Sequence, residues 1–186
     1  MHRPIRFVST AATVFVVWAA LGMTRAQEPP AEAPGGNFLA LSVVERYWRW
    51  RWSGDDSIRE LSACPFSLNG QAVLDEAALQ AKLPELQKGA AELRKKVSSI
   101  DLLRVDFVEF QPDSFEVNLE PHKAALGSRH ERVLTHARQL LAPGDLCVVM
   151  RVRLHRRGKD NVEEATVWLL LSRTPDGYKV RGFQVS

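Results

Sequence analysis

The segment from Val43 to Asp56 constrains the fold of this chain more than any other. It reads Val-Val-Glu-Arg-Tyr-Trp-Arg-Trp-Arg-Trp-Ser-Gly-Asp-Asp, with large aromatic residues set among charged ones. Apolar side chains recur at spacings of three and four residues from Phe38 to Trp52, which is typical of an amphipathic helix. Gly54 follows the last of them, and glycine commonly ends helices. The sequence therefore predicts a first helix that stops at Gly54 and has an aromatic face to bury.

Three tryptophans, Trp48, Trp50 and Trp52, occupy alternate positions in this helix. At about 100° per residue, Trp48 and Trp52 lie on one side and Trp50 on the other. We therefore expect Trp48 and Trp52 in the core and Trp50 exposed or at an interface. The alternative is that the tryptophans and the intervening arginines form a surface for sugars or an anionic membrane.

A short helix, a brief strand with a tight turn, and a long helix are predicted next. The short helix is predicted to be capped by Asp56 or Ser57 and to run through Ile58 and Leu61 to Ala63. Residues 65–70 are predicted to form a brief strand that ends in a tight turn at Asn69-Gly70. Asp75 is a predicted N-cap for a long helix that runs to about Ser99. Pro84 lies within that helix and is expected to kink it or to divide it in two.

From Asp101 onward, apolar residues recur at every second position, which is typical of strands. Strands are predicted over residues 103–107 and over Phe115–Leu119, on either side of a turn at residues 111–113. A helix from about Ser128 to Leu141 separates these strands from the rest of the sheet.

The last three strands, over residues 146–155, 162–172 and 178–185, are predicted to form an antiparallel meander. We expect one face of the meander to pack on the helices and the other, with Arg151 and Arg153, to be solvated and to carry cross-strand ion pairs. This order of elements predicts an α+β fold. The residues expected to face the helices are Leu146, Val148, Met150, Val152 and Leu154.

The first 26 residues have the features of a secretory signal peptide. Arg3 and Arg6 precede an apolar run from Phe7 to Leu21, and Thr24-Arg25-Ala26 supplies small residues at the −3 and −1 positions of a cleavage site. The run is shorter than the roughly 20 apolar residues of a spanning helix. We expect cleavage after Ala26 and export to the periplasm or the medium, with no stable membrane anchor.

Cleavage would change the net charge of the chain. Removing Arg3, Arg6 and Arg25 from the 25 basic residues leaves 22, which equals the number of acidic residues. A neutral chain has no overall attraction for nucleic acid, so we exclude nucleic-acid-binding functions. Residues 27–37 are rich in Pro, Gly and Ala and are predicted to be a disordered linker before a single domain over residues 38–186.

Two cysteines, Cys64 and Cys147, remain after cleavage. In an exported chain they could form a disulfide that closes a loop of about 80 residues. Alternatively, both are small buried apolar side chains. The sequence leaves both possibilities open.

The order of elements resembles the nuclear transport factor 2-like superfamily, also called cystatin-like or SnoaL-like. Residues 44–55 and the closing Asp176-Gly177-Tyr178-Lys179-Val180 carry the resemblance, which covers Phe38 to Ser186. It implies a cone-shaped α+β fold whose N-terminal helices pack on a curved antiparallel sheet around an apolar pocket. It also implies a possible homodimer through the open sheet face. Members include isomerases, dehydratases, hydrolases and non-catalytic binding subunits, so the fold implies no single activity.

The segment Val43–Tyr47 is similar to the first helix of ketosteroid isomerases, a branch of this superfamily. Tyr47 falls where those enzymes have an oxyanion-donating tyrosine. Their reaction also needs a carboxylate base and a second acid. The resemblance assigns these roles to Asn69-Gly70 and Val167-Trp168, where no side chain can ionise. We therefore interpret Tyr47 as a core aromatic residue with its hydroxyl at the rim of a pocket.

Tyr47, Asp106 and His130 are the remaining catalytic candidates. Asp106 lies in a predicted strand, where it is either a base facing the cavity or a solvated residue beside Arg104. His130 is either a catalytic residue or a packing residue on the predicted helix. The sequence contains no metal-ligand spacing, nucleophile motif or phosphate-binding loop, so no metal and no cofactor are predicted.

These features predict an exported, non-catalytic module that binds a small apolar ligand or a protein partner. The predicted ligand pocket contains Tyr47, Trp48 and Trp168. One alternative is a cofactor-independent lyase, isomerase or hydrolase that uses Tyr47 with Asp106 or His130. Another is a structural dimerisation module.

Overall fold

The computed structural model describes residues 36–55, 57–69, 72–158 and 162–185. The predicted signal peptide and most of the predicted linker lie outside these residues. The helices are α1 (Gly36–Ser53), α2 (Ser57–Leu61), α3 (Glu76–Lys96), α4 (Phe115–Leu119), α5 (Lys123–Leu126) and α6 (His130–Leu140). The strands are β1 (Ser62–Leu68), β2 (Ala72–Leu74), β3 (Val97–Glu109), β4 (Leu146–Arg156), β5 (Val162–Thr174) and β6 (Gly177–Val185).

The strands form one six-stranded sheet in the order β2-β1-β6-β5-β4-β3. Neighbouring strands are antiparallel except for β1 and β6, which run parallel. The sheet is therefore mixed, whereas an antiparallel sheet was predicted. The α+β class and the order α1, α2, β1, α3 are as predicted, whereas β2, which pairs with β1 in a hairpin, was not predicted.

Helix α1 ends at the predicted glycine. The amide of Gly54 donates to the carbonyl of Trp50 at 2.7 Å, and Gly54 adopts a φ of +66°. A Cβ atom at this position would lie 3.1 Å from the Cβ of Ala90 in α3. Both the left-handed backbone and the close approach of α3 favour glycine. The carboxylate of Asp55 then accepts from the amide of Ser57 at 2.9 Å and starts α2.

Helix α3 begins after Asp75, whose carboxylate accepts from the amide of Ala78 at 2.8 Å. The helix is continuous through Pro84 and ends at Lys96, three residues earlier than predicted. The next residues join β3, which pairs with β4 from Val97 onward. Sheet pairing therefore determines where the helix ends.

The inner face of the sheet packs on α1, α2 and α3. The helices cover the alternate residues of β4 that were predicted to face them, together with their neighbours on β5 and β6. This inner core includes Ala40, Val44, Tyr47, Trp48, Trp50, Leu79, Leu83, Val148, Met150, Val167, Leu169 and Phe183.

The outer face of the sheet is also covered over part of its area. Residues 115–140, which we call the insert, contain α4, α5 and α6 and pack on the opposite side of β4 and β5. The prediction of one fully solvated face is therefore wrong. The buried outer core includes Val108, Phe110, Phe115, Leu119, Val133, Leu134, Ala137, Cys147, Val149, Trp168 and Leu170.

The uncovered part of the outer face is polar, as predicted. Arg151 and Arg153 both contact the carboxylate of Glu164 at 3.0 Å, across the β4–β5 pair. His155 lies 2.7 Å from the carboxylate of Asp101 on β3. These exposed ion pairs add little to stability individually.

The predicted strand over Phe115–Leu119 is wrong, because this segment is helix α4. Phe115 and Leu119 are buried, whereas Val117 between them is 72% exposed. A spacing of four places Phe115 and Leu119 on one side of a helix, which packs on the sheet. Alternation of apolar residues over five positions fits a strand and a single helical turn equally well.

The two cysteines are free in the structure. Cys64 packs against the inner core and Cys147 lies in the outer core. The sheet therefore separates the two thiols. Among the described residues, no helix combines the length and the apolar character needed to cross a membrane.

Candidate functional site

Tyr47 is at the centre of an aromatic cluster between α1 and β6. Its side chain is completely buried. Its ring centroid lies 5.5 Å from that of Trp48, 5.7 Å from Trp50 and 5.4 Å from Phe183. Phe183 also contacts Phe66 of β1, with centroids 5.9 Å apart. These edge and tilted contacts fix the rings of the cluster.

Two buried donors in this cluster have no hydrogen-bond partner among the described residues. They are the Tyr47 hydroxyl and the Trp50 indole Nε1. Burial raises the pKa of Tyr47 to about 12, so the phenol stays protonated and remains a donor. A buried donor without an acceptor costs about 1–3 kcal/mol. Most such groups in folded proteins are paired, so each unpaired one needs a physical explanation.

Arg51 brings a positive charge to the same cluster. Its Cζ lies 5.6 Å from the Trp50 ring centroid and 6.0 Å from that of Phe183. The Arg51 charge opposes the effect of burial on the pKa of Tyr47, so it acts at the phenol oxygen. The side chain is half-buried, and its Nε has no hydrogen-bond partner in the described part of the chain.

Sequence reasoning placed Trp50 on the wrong side of α1. Trp50 is fully buried, whereas Trp52 is half-buried. The buried stripe of α1 reaches Tyr47, and counting three and four residues onward gives Trp50 and Arg51. Extending the stripe from Tyr47 instead of Trp48 would have identified both residues.

Trp48 is in the core, as predicted, but its polar atom is already occupied. Its Nε1 donates to the Sδ of Met150 on β4 at 3.4 Å. Trp168 lies in the outer core, on the other side of the sheet from Tyr47. The structure therefore separates Trp168 from Tyr47 and Trp48, and the three do not line a common pocket. The physical reason is the pleat, which turns Val167 inward and Trp168 outward.

The other two catalytic candidates also lie away from Tyr47. Asp106 faces the outer side of β3, with its carboxylate 2.7 Å from Arg104 and 3.8 Å from the Nδ1 of His122. His130 is buried at the start of α6, 3.6 Å from Glu131, and neither ring nitrogen has a hydrogen-bond partner among the described residues. Neither side chain comes together with the Tyr47 hydroxyl.

A serine–histidine contact was not anticipated from the sequence. The Ser67 hydroxyl on β1 hydrogen-bonds with His136 Nδ1 on α6. Burial and the nearby Arg132 charge lower the pKa of His136, which favours a neutral ring that accepts from the hydroxyl. Ser67 is completely buried, and a Cβ at Gly182 would lie 2.7 Å from the Ser67 Cβ. The contact therefore links the insert to the sheet. The Ser67 hydroxyl is buried and is not accessible to a substrate.

Among the described residues, no group of three or more histidine, cysteine, aspartate or glutamate side chains is placed to hold a metal ion. The site on α1 consists of buried hydrogen-bond donors and aromatic rings.

The sequence matches no protein-family model and no curated protein sequence. One solved structure that it resembles carries the name Rd1NTF2_05 with five substitutions. The two chains are 10% identical, the alignment covers 81% of this chain and 98% of the other, and the TM-score is 0.49. At this identity and score, the likeness carries no information about what the site binds.

Proposed function

We propose that this protein binds a small, largely apolar molecule through a hydrogen-bond acceptor. The site is the α1 donor site, which we define as Tyr47, Trp50 and Arg51. The acceptor of the ligand would take hydrogen bonds from the Tyr47 hydroxyl and the Trp50 indole. The apolar part of the ligand would lie against Phe183 and Phe66.

The pair of unpaired donors carries this proposal. Tyr47 and Trp50 are one helical turn apart on α1, and their rings are in contact. Each donor loses its hydrogen bonds to water on folding and gains none from the described residues. A ligand acceptor would offset a cost of about 1–3 kcal/mol per donor, and such a gain is available only in the bound state. Ordered water would offset the same cost less specifically.

The chemistry of the site favours binding over catalysis. Tyr47 has a pKa of about 12 and therefore does not act as a base near neutral pH. Proton transfer also needs a second titratable group within hydrogen-bond reach of the substrate. Asp106 is held by Arg104 on the outer face of the sheet, and His130 is buried in the insert.

A binding screen with matched variants tests this proposal. Wild-type protein is titrated with small aromatic and aliphatic molecules that carry a carbonyl or a carboxylate, and binding is followed by calorimetry. Tyr47→Phe and Trp50→Phe should each weaken binding about ten-fold, since each removes one hydrogen bond. Tyr178→Phe and Trp52→Phe are the controls and should leave affinity unchanged. Equal losses at the control positions would contradict a specific role for the α1 donors.

We further propose that the protein acts after export, on the strength of residues 1–26 alone. Mass spectrometry of the exported protein should find an N-terminus at Gln27. An intact Met1 in a membrane fraction would contradict this.

A further inference from the structure

Arg51 differs from several other arginines of the chain in its surroundings. Arg46 pairs with Glu60 at 3.3 Å, and Arg138 pairs with Glu116 at 2.7 Å. In the described part of the chain, Arg51 has no carboxylate within salt-bridge distance, although its side chain is half-buried. A partly desolvated cation without a counter-charge is costly to maintain.

The nearest described acid in the sequence is already engaged. The Asp55 carboxylate accepts from the Ser53 hydroxyl at 2.6 Å and from the Ser57 amide at 2.9 Å. These hydrogen bonds lower the pKa of Asp55 and direct its oxygens towards the start of α2. Asp55 therefore serves the helix junction, and no described carboxylate pairs with Arg51.

The guanidinium of Arg51 is held in place by aromatic rings. It lies over both Trp50 and Phe183, at 5.6 and 6.0 Å from the ring centroids. Stacking of this kind orients the planar fork of an arginine without using its N–H donors. The Arg51 Nε has no hydrogen-bond partner among the described residues, so it is available as a donor on the same aromatic cluster as the Tyr47 hydroxyl and the Trp50 indole.

Every polar group of the α1 donor site favours a ligand that accepts hydrogen bonds. A neutral carbonyl would pair with one or two donors and supply no negative charge to Arg51, which has no carboxylate partner in the described part of the chain. A carboxylate has two oxygens with about four lone-pair positions, so it can satisfy the arginine fork and a neutral donor together. An amine or another cation would be repelled by Arg51.

From this geometry we infer that the ligand is a carboxylic acid with an apolar body, bound as its carboxylate. This inference rests on the proposed function and names the chemical class of the ligand. The half-buried Arg51 receives the carboxylate, and Tyr47 and Trp50 donate to it from the buried side. Phe183, which contacts Tyr47, Trp50 and Arg51, forms the apolar wall behind it.

Matched acids and amides test the class of the ligand. The probes are phenylacetate with phenylacetamide, and octanoate with octanamide, titrated by calorimetry into the full exported chain. Each acid should bind at least ten-fold more tightly than its amide, because hydrogen bonds to charged groups are the stronger ones. Arg51→Gln should abolish this preference by weakening the acid about ten-fold and leaving the amide unchanged.

Arg49→Gln is the matched control, because Arg49 is exposed and lies on the same helix, two residues before Arg51. It should leave the preference intact, and circular dichroism checks that both variants fold. Equal binding of acids and amides, unaltered in Arg51→Gln, would overturn the carboxylate inference and leave the proposed function standing. If none of the four probes binds the folded wild-type protein, both the inference and the proposed function are contradicted.

Discussion

Both faces of the sheet bury an apolar cluster, but the two faces differ in the kind of polar atom that is left without a hydrogen-bond partner in the described part of the chain. Among the described residues, the buried polar atoms of the α1 cluster without a hydrogen-bond partner are the donors of Tyr47, Trp50 and Arg51. On the side of the insert, both ring nitrogens of His130 are also without a partner among the described residues. On the outer face, the Trp168 Nε1 donor and the Gln184 Oε1 acceptor are both unpaired, and these residues are direct neighbours across β5 and β6. A single water or a small rotation can pair unlike groups with one another. Groups of the same kind need an acceptor from elsewhere, so the inner face is the binding site in our account.

The burial of one titratable group on each face predicts the largest effect, which is a loss of stability at alkaline pH. Burial raises the pKa of Tyr47 on the inner face from 10.0 to about 12. It also raises the pKa of Cys147 on the outer face from 9.0 to about 12. In both cases the pKa in the folded protein lies above the ordinary value, so the folded state holds its proton more tightly than the unfolded state. The free energy of unfolding is therefore unaffected below about pH 9 and decreases as the pH rises towards 12. The full losses are about 3 kcal/mol for Tyr47 and about 4 kcal/mol for Cys147.

Urea unfolding at several values from about pH 8 to about pH 11 measures this loss. The free energy of unfolding of Tyr47→Phe and of Cys147→Ala should each decrease less steeply with pH than that of the wild type over this range. Parallel curves for the wild type and Cys147→Ala would mean that the insert does not bury the thiol. Parallel curves for the wild type and Tyr47→Phe would mean that the α1 cluster does not bury the phenol.

A pair of adjacent leucines tests whether both faces are buried. Leu169 points into the inner core and Leu170 into the outer core, and both are 0% exposed. Leu169→Ala and Leu170→Ala should each lower the free energy of unfolding by about 3 kcal/mol. Arg151→Ala, on the uncovered part of the outer face, should cost less than about 1 kcal/mol. A loss at Leu170 as small as that at Arg151 would show that the insert does not cover the sheet in solution.

The sequence predicted the local features of the fold because local chemistry causes them. Gly54 ends α1, Asp75 caps α3, and Asn69 makes the hairpin turn with a φ of +51°. In each case, the residue itself favours the backbone conformation or supplies the hydrogen bond.

Long-range features were missed because no local pattern encodes them. The parallel pairing of β1 with β6 joins segments more than 100 residues apart in the sequence. The cover provided by the insert depends on where α4 and α6 dock. Its sequence signals were the apolar residues at outward positions, Cys147 and Val149 on β4 and Trp168 and Leu170 on β5. At the site, the exact position of the buried stripe on α1 decided the outcome. Trp50 is buried and Trp52 is half-buried, whereas the opposite assignment was predicted.

The smallest expected effect is at the contact between the insert and β1. The pKa of His136 is lowered in the folded state, so its contribution to stability is present above about pH 6.5 and is lost as the pH falls below it. Replacing His136 with Asn should reduce this acid dependence of unfolding. Ser67→Ala should cost about 1 kcal/mol at neutral pH through the lost hydrogen bond. An unchanged pH profile in His136→Asn would place the imidazole in solvent and the insert away from β1.

The free energy of unfolding of Tyr47→Phe at neutral pH, measured without ligand, tests the central claim most directly. If the Tyr47 hydroxyl has no partner in the free protein, its removal leaves stability unchanged or raises it by about 1 kcal/mol, since the unpaired group costs free energy. Tyr178→Phe provides the control for the loss of a phenol in general. We predict that Tyr47→Phe is at least as stable as the wild type. A loss of more than about 1 kcal/mol would show that the hydroxyl is already paired within the protein, and would contradict a site that waits for the acceptor of a ligand.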